Sequence, residues 1–449
     1  MSAGRELAAS AGAGATEGLP PRPALPGLTM ATGFVLRPTE FFDACREVAG
    51  DYFTLRPAPG RTLVVTADPQ AVRQVFCGDP AKLQAGAANI ILLPLLGSRS
   101  VLLLDGDEHL RHRRLLLAPF HGEQLARFSR TIAEAARWHI AGWPRRGEFS
   151  ALASMQAITL EVIMRVVFGV DDQWHMQRLS AALRRQLQLF SSRAATLALM
   201  LTADGAGHGR GPLWKRVRQA SGAADRLIHE LIAVRRDRGD GGRRGADVLS
   251  MLLAARDEHG RALSDTELRD ELVTLLIAGH ETTATALAWT LERITREPQV
   301  LERLQRDPDD QRYLDAVIRE VLRLRPVVPA VARRLAEPMR FGQWLLPAGV
   351  HIAPSIYLLH RREDLYPQPL RFWPERFLER MPGSYEWIPF GGGVRRCLGA
   401  SFALLEMRVV LGEILRCVRL RPAAGEGERV SRRGITFAPA RGGRIALAR

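Results

Sequence analysis

The stretch from Ser264 to Pro298 constrains the fold more than any other. Ser264-Asp-Thr-Glu267 is a capping-box pattern, in which a serine hydroxyl and a glutamate satisfy each other's backbone donors. No proline follows until Pro298. The pattern predicts one helix of about 30 residues, or about 45 Å at 1.5 Å per residue. A helix of that length has to cross the domain that holds it. Its middle, LLIAGHETTATALAW, is small and apolar on most faces, so it is predicted to be buried. A glycine and several polar groups halfway along a buried helix cost stability unless they serve something.

The remaining pattern is built around that helix. YFTLRPAPGRTLVVTADP, Tyr52 to Pro69, predicts two short strands about a turn, with a helix over Gln70–Phe76. From Glu108 to about Met200 the pattern is mostly helical, broken by Pro119, Pro144 and Gly169. RRDRGDGGRRG, from Arg235, predicts an exposed connector. DAVIREVLRLRP predicts a helix ending at Pro326, and the Val- and Ile-rich segments VVPAVARRL and GQWLLPAGVHIAPSIYL predict strands. GITFAPARGGRIALAR predicts a closing hairpin. The expected fold class is mainly α with a minor β-sheet region (α+β), in a single large domain over 28–449. Residues 1–27, small, polar and proline-rich, are expected to be a flexible leader.

Composition narrows the function classes. The net charge of +15 raises nucleic-acid binding, but only two of the 63 basic residues are lysine and the arginines are spread along the chain. No basic cluster interleaved with aromatics is present, so no nucleic-acid partner is expected. Four scattered cysteines, Cys45, Cys77, Cys397 and Cys417, argue against a disulfide framework or a zinc site. No apolar run approaches the roughly 18–20 residues of a membrane span. The leader lacks a signal-peptide core. A cytoplasmic protein with no membrane anchor is expected.

Phe390 to Gly399, FGGGVRRCLG, places a cysteine behind three glycines and two arginines, before an apolar segment. A thiolate is the nucleophilic and metal-binding form of cysteine. Helix N-terminal N–H groups stabilise an anion, and Arg395 and Arg396 add to that. Glycines let a flat object press against the backbone. A phosphate cradle is disfavoured, because neither a Gly-Lys-Ser/Thr ending nor a strand–GxGxxG–helix unit is present. A buried structural cysteine remains open on this stretch alone.

Three further segments bear on it. Ala278-Gly-His-Glu-Thr-Thr283 lies mid-helix, where Glu281 and Thr282 could relay protons. His280-Glu281 resembles the start of a zinc-protease motif, but the second histidine position is Ala284, so His280 is expected to pack as a spectator. Glu320 and Arg323 share a helix face at i, i+3, and Arg376 in PERF could join them in a buried network. His109 and Arg113, at i, i+4, can present two donors to an anion, with solvated surface charge as the alternative reading.

Taken together, these segments resemble the cytochrome P-450 family of haem-thiolate monooxygenases. Phe390-x-x-Gly393-x-Arg395-x-Cys397-x-Gly399 fits the family's cysteine-ligand signature, and the likeness runs from about Leu28 to the C-terminus. The resemblance implies haem b with Cys397 as the axial thiolate ligand, which favours O–O cleavage, and Phe390 packed near the sulfur. It implies His109, Arg113, Arg395 and Arg333 as haem propionate donors, with Arg334 as the alternative to Arg333. It implies Ala278 and Gly279 as the small residues of an oxygen-binding kink, and Glu281 and Thr282 as deliverers of protons. Glu320, Arg323 and Arg376 match a structural triad.

The expected reaction inserts one atom of O2 into a lipophilic small molecule such as a terpenoid, steroid-like compound or fatty acid. Val327, Val328 and the apolar segments at Ala85–Leu104 and Leu187–Gly205 are expected at the substrate. Reducing equivalents from NAD(P)H are expected through a reductase and an acidic ferredoxin or flavodoxin, docked on a basic face of Arg395, Arg396 and Arg111–Arg114. A non-catalytic haem-binding or sensor protein is the alternative, but it would have no need of Glu281 and Thr282.

Overall fold

The computed structural model describes residues 16–24, 33–58, 60–120, 122–170, 176–184, 212–237 and 247–448. The segment Leu187–Gly205 and most of the connector after Arg235 lie outside the described residues. In chain order the main helices are α1 (Pro38–Ala49), α2 (Pro69–Cys77), α3 (Gly106–Leu117), α4 (Gly122–Ala141) and α5 (Ala151–Val166). They continue with α6 (Pro212–Asp237), α7 (Val248–Ala254), α8 (Asp265–Thr295), α9 (Pro298–Arg306), α10 (Gln311–Leu324) and α11 (Ala400–Cys417).

Helix α8 is the long helix expected from the sequence, 31 residues in length. Its capping box is formed: Ser264 Oγ accepts the Glu267 N–H at 3.3 Å, and Glu267 Oε2 accepts the Ser264 N–H at 2.8 Å. It is buried along most of its length. Helix α5 packs along it, and α10 and α11 pack on it from other sides. Together they bury one large apolar core, which includes Ile158, Leu272, Leu287, Trp289, Val317 and Val410.

The minor sheets sit around this bundle. The largest has five strands: β2 (Tyr52–Ala58), β3 (Arg61–Thr66), β9 (His351–Pro354), β6 (Arg333–Leu335) and β4 (Leu83–Gln84), in that spatial order. β3 and β9 run parallel, with Val64 opposite Ile352. This sheet has its own core, with Val64, Ile352, Val72, Phe76 and Ile388.

Two expectations need correction. The predicted closing hairpin is divided between sheets. β12 (Thr436–Pro439) pairs back with β11 (Val430–Arg433), whereas β13 (Arg444–Leu447) pairs with β10 (Leu420–Pro422) and β5 (Gly147–Ser150). The left-handed Gly442 and Gly443 (φ 82 and 64°) turn the chain from one sheet to the other. The domain edge expected at Leu28 also lies too late. β1 (Thr16–Glu17) pairs with β8 (Trp344–Leu346), which also pairs with β7 (Met339–Phe341), and the Thr54 N–H donates to the Pro21 carbonyl at 2.9 Å. Among the described residues no helix is long and apolar enough to cross a membrane.

Candidate functional site

The loop before α11 closes on itself. The Cys397 N–H donates to the Phe390 carbonyl at 2.9 Å, and the Arg396 N–H to that of Gly393 at 3.0 Å. Gly393 has φ +63°, and a Cβ there would stand 1.9 Å from the Phe76 carbonyl oxygen. At Gly392 a Cβ would meet the Phe76 ring at 2.2 Å. These two glycines are therefore required by the end of α2 pressed against them, where the sequence suggested a flat ligand. Phe390 packs edge-on against Trp387, with ring centroids 6.0 Å apart.

Helix α11 starts at Ala400, so Cys397 precedes it by most of a turn. The Cys397 side chain is accessible, with Arg113 and Arg396 close by. Burial raises its pKa, opposed by a hydrogen bond from the Gly399 N–H and by the charges of Arg113 and Arg396.

The middle of α8 has a matching anomaly. Ala278 is exposed although the helix around it is buried, and Thr282, one turn on, is partly open. Thr282 Oγ1 donates to the Ala278 carbonyl at 2.5 Å, so its lone pairs remain free to accept. The backbone is helical throughout this region. Gly279 faces another way: a Cβ there would lie 2.9 Å from Ile163 Cδ1. Its smallness lets α5 approach α8, which differs from the expected space for dioxygen. His280 is buried on that same side, its Nδ1 2.8 Å from Thr159 Oγ1. Burial and the charge of Arg184 lower its pKa to about 4, so it is neutral. Glu281 accepts from Gln156 Nε2 at 2.7 Å.

His109, Arg113, Arg333 and Arg395 converge. His109 is buried on α3, and its pKa is lowered to about 3 by burial and by the charges of Arg395, Arg113 and Arg333. Arg113 donates to the Arg396 carbonyl at 2.8 Å. Arg395 pairs with Asp105 at 2.6 Å and donates to the Val101 carbonyl at 3.1 Å. Arg333 is 7% exposed, and its Nη1 bonds to the Ala332 carbonyl at 2.9 Å. Burial lowers the pKa of Arg333 to about 10, with Arg395 adding to the effect. Arg334 points outward to Gln84 Oε1 at 3.2 Å. The strand alternates faces, so one of these adjacent arginines enters the cluster and the other leaves it.

Glu320, Arg323 and Arg376 also meet. Both oxygens of Glu320 hold Arg323, at 2.7 and 2.8 Å, and Arg376 Nε reaches Glu320 at 3.3 Å. The Trp373 N–H donates to Glu320 at 2.9 Å, and Arg323 donates to the His360 and Pro369 carbonyls at 2.8 Å each. This network ties the irregular chain from His360 to Arg376 onto α10.

The expected substrate pair is split. Val327 is buried in the main core, whereas Val328 keeps accessible surface. The expected basic face is largely neutralised. Arg111 pairs with Asp257 at 2.7 Å and with Glu267 at 2.8 Å, Arg114 with Glu258 at 2.7 Å, and Arg113 and Arg395 turn inward. Arg396 stays exposed, as do Arg127 and Arg130 on α4.

Three contributors were not anticipated from the sequence. Asp105 accepts the Gly86 and Ala87 N–H groups at 2.8 and 2.9 Å and holds Arg395. His360 donates from Nδ1 to the Arg323 carbonyl at 3.3 Å and accepts the Ile388 N–H on Nε2 at 2.9 Å, joining the triad to the cysteine loop. Gln156 is the third. Asp105 before GDEH was the one visible signal, and it reads equally well as an ordinary helix cap. His360 and Gln156 carry no local pattern.

The chain belongs to the cytochrome P450 family: the sequence model of Cytochrome P450 matches residues 20–442. It is 43% identical over 438 residues to a Mycobacterium tuberculosis protein named cytochrome P450 135B1, covering 96% of this chain and 91% of that one. It is 38% identical over 434 residues to cytochrome P450 138 of the same species, covering 96% of each. Among solved structures, a retinoic acid-bound cyanobacterial CYP120A1 superposes with a TM-score of 0.79 at 23% identity, over 96% of this chain and 100% of that one. The haem domain of cytochrome P450DA does so with a TM-score of 0.83 at 24% identity, over 97% and 98%. At those identities the structures establish the fold. The protein is a cytochrome P450 monooxygenase, an enzyme of haem iron and O2.

Proposed function

We propose that a haem would be held by the sulfur of Cys397 on the loop before α11 and by His109, Arg113, Arg333 and Arg395 at its propionates, and that a lipophilic molecule is the substrate oxidised. The observation that carries this reading is the convergence of the buried His109 and Arg333 with the partly buried Arg113 and Arg395. Among the described residues one carboxylate, Asp105, is paired with them. Surplus buried positive charge needs an anion, and a pair of propionates is an anionic group of the right kind. The accessible sulfur of Cys397 and the accessible faces of Ala278 and Thr282 fit the same group.

Bound haem supplies an iron that takes up and activates dioxygen. The chain supplies the rest. The Gly399 N–H and the charges of Arg113 and Arg396 favour the thiolate of Cys397. Thr282, with its proton committed to Ala278, can accept a hydrogen bond from a group in the space before it. Glu281 stands behind as the proton source. Val328 and the partly accessible leucines Leu92, Leu102 and Leu103 give the substrate an apolar wall. Electrons from NAD(P)H arrive through an acidic ferredoxin or flavodoxin and its reductase, drawn by Arg396 and by Arg127 and Arg130 of α4, which packs on α11.

Carbon monoxide binding to the reduced protein tests the ligand. Wild type gives the red-shifted Soret band of thiolate-ligated haem, and Cys397→Ser abolishes it. An unchanged band in Cys397→Ser overturns the assignment. Substrate-difference spectra against a lipophilic library test the substrate class, and spectral shifts with polar compounds alone refute it.

A further inference from the structure

Glu281 and Thr282 are neighbours on α8, so their side chains leave the helix about 100° apart. Thr282 turns with Ala278 toward the accessible space. Glu281 turns into the seam between α8 and α5, where Gly279 lets the helices come close. There its two oxygens differ. Oε2 accepts from Gln156 Nε2 at 2.7 Å. Oε1 is buried and has no hydrogen-bond partner among the described residues. Among the described residues the other charge facing it is Arg433, at the end of β11. Burial raises the Glu281 pKa, and Gln156 and Arg433 oppose this only in part.

We propose that Gln156 is a positioning residue that makes Glu281 a proton store. This rests on the reading of Glu281 as the proton source behind Thr282. The argument lies in the kind of partner. A cation bonded to Oε2 would hold the carboxylate ionised, whereas an amide fixes its orientation and still tolerates the neutral acid. With Oε2 occupied by the amide N–H, the acid proton resides on Oε1, the oxygen lacking a donor. When Oε1 gives up that proton to water on the Thr282 side, the carboxylate left behind keeps the Gln156 hydrogen bond and the field of Arg433. A proton from solvent then restores it.

The test uses haem-loaded enzyme and infrared spectroscopy. A protonated-carboxyl C=O band, followed from about pH 5 to pH 8 and lost in Glu281→Gln, identifies the stored proton, and its absence throughout that range overturns the inference. In Gln156→Met, which keeps the side-chain length but removes the donor, this band moves to higher frequency. In Gln156→Asn, where the amide is withdrawn by one methylene, it moves the same way. Product per electron pair falls about fivefold in Gln156→Met, the scale of one neutral hydrogen bond, while substrate KM and the carbon monoxide spectrum stay unchanged. The inference is overturned if Glu281→Gln uncouples turnover but Gln156→Met leaves both band and coupling as in wild type. If Glu281→Gln itself stays fully coupled, the underlying reading of Glu281 fails instead, and a band shift in Gln156→Met still reports the contact.

Discussion

The guanidinium of Arg113 donates to the backbone carbonyl of Arg396 at 2.8 Å, one residue before Cys397. Helix α3 and the cysteine loop, far apart in sequence, thereby form one wall. The same helix presents His109 to Arg333 and Arg395. The wall therefore joins the candidate sulfur ligand to a cluster of arginines around a neutral His109.

Arg333 and Arg334 are expected to behave oppositely on substitution. Arg333→Ala removes a buried cation from the cluster and should lower the haem bound per protein several-fold. Arg334→Ala acts on an exposed side chain and should change stability by less than about 0.5 kcal/mol. Haem content from the absorbance ratio of the purified variants separates them. Equal loss in both would contradict the placement.

Glu320→Ala should be the most destabilising of these changes. Glu320 and Arg323 are both 0% exposed, and the carboxylate is shared by two arginines and the Trp373 N–H. Removing one partner of a buried charge network costs about 3–5 kcal/mol. Denaturant unfolding measures it, and a loss below about 1 kcal/mol, as for a surface pair, would show that the network is not holding the chain between His360 and Arg376.

Glu406, on α11, gives a pH dependence. It is fully buried, and among the described residues neither oxygen has a partner. Burial raises its pKa well above 4.5. The folded protein thus binds this proton more tightly than the unfolded chain. The corresponding stability is full below about pH 4.5 and is lost as pH rises toward the folded pKa, by up to about 1.4 kcal/mol per pH unit. Glu406→Gln cannot ionise, so its stability relative to wild type should rise between pH 5 and pH 8. Parallel stability curves would mean that Glu406 is already charged.

Thr282→Ala should retain the carbon monoxide spectrum and substrate binding but release more reduced oxygen per product. Peroxide formed per reductant consumed is the measurement. Full coupling in Thr282→Ala would remove the hydroxyl from the proton path.

Much of this was legible because it is local. The capping box at Ser264 and the absence of proline before Pro298 set α8 from within its own stretch. The residues of the cysteine loop and of the α3 and α10 motifs were found from short spacings. Their purposes were less legible. Gly392 and Gly393 were read as room for a ligand, yet Phe76, more than 300 residues earlier, fills the space beside them. Arg111 to Arg114 were read as an outward basic face, yet Asp257, Glu258 and Glu267 meet Arg111, His112 and Arg114.

Sequence alone determined where α8 begins and ends, which cysteine stands before a helix, and which charged pairs share a helix face. These follow from hydrogen bonds and side-chain periodicities that span a few residues. Tertiary structure decided which of Arg333 and Arg334 turns inward, how the strands after Gly434 divide between two sheets, and that Gln156 meets Glu281. Two adjacent arginines are chemically identical, so only the pairing of β6 with β4 and β9 sets which face each takes. The partner of a buried carboxylate is whatever side chain a second helix brings to it, and no local pattern encodes that.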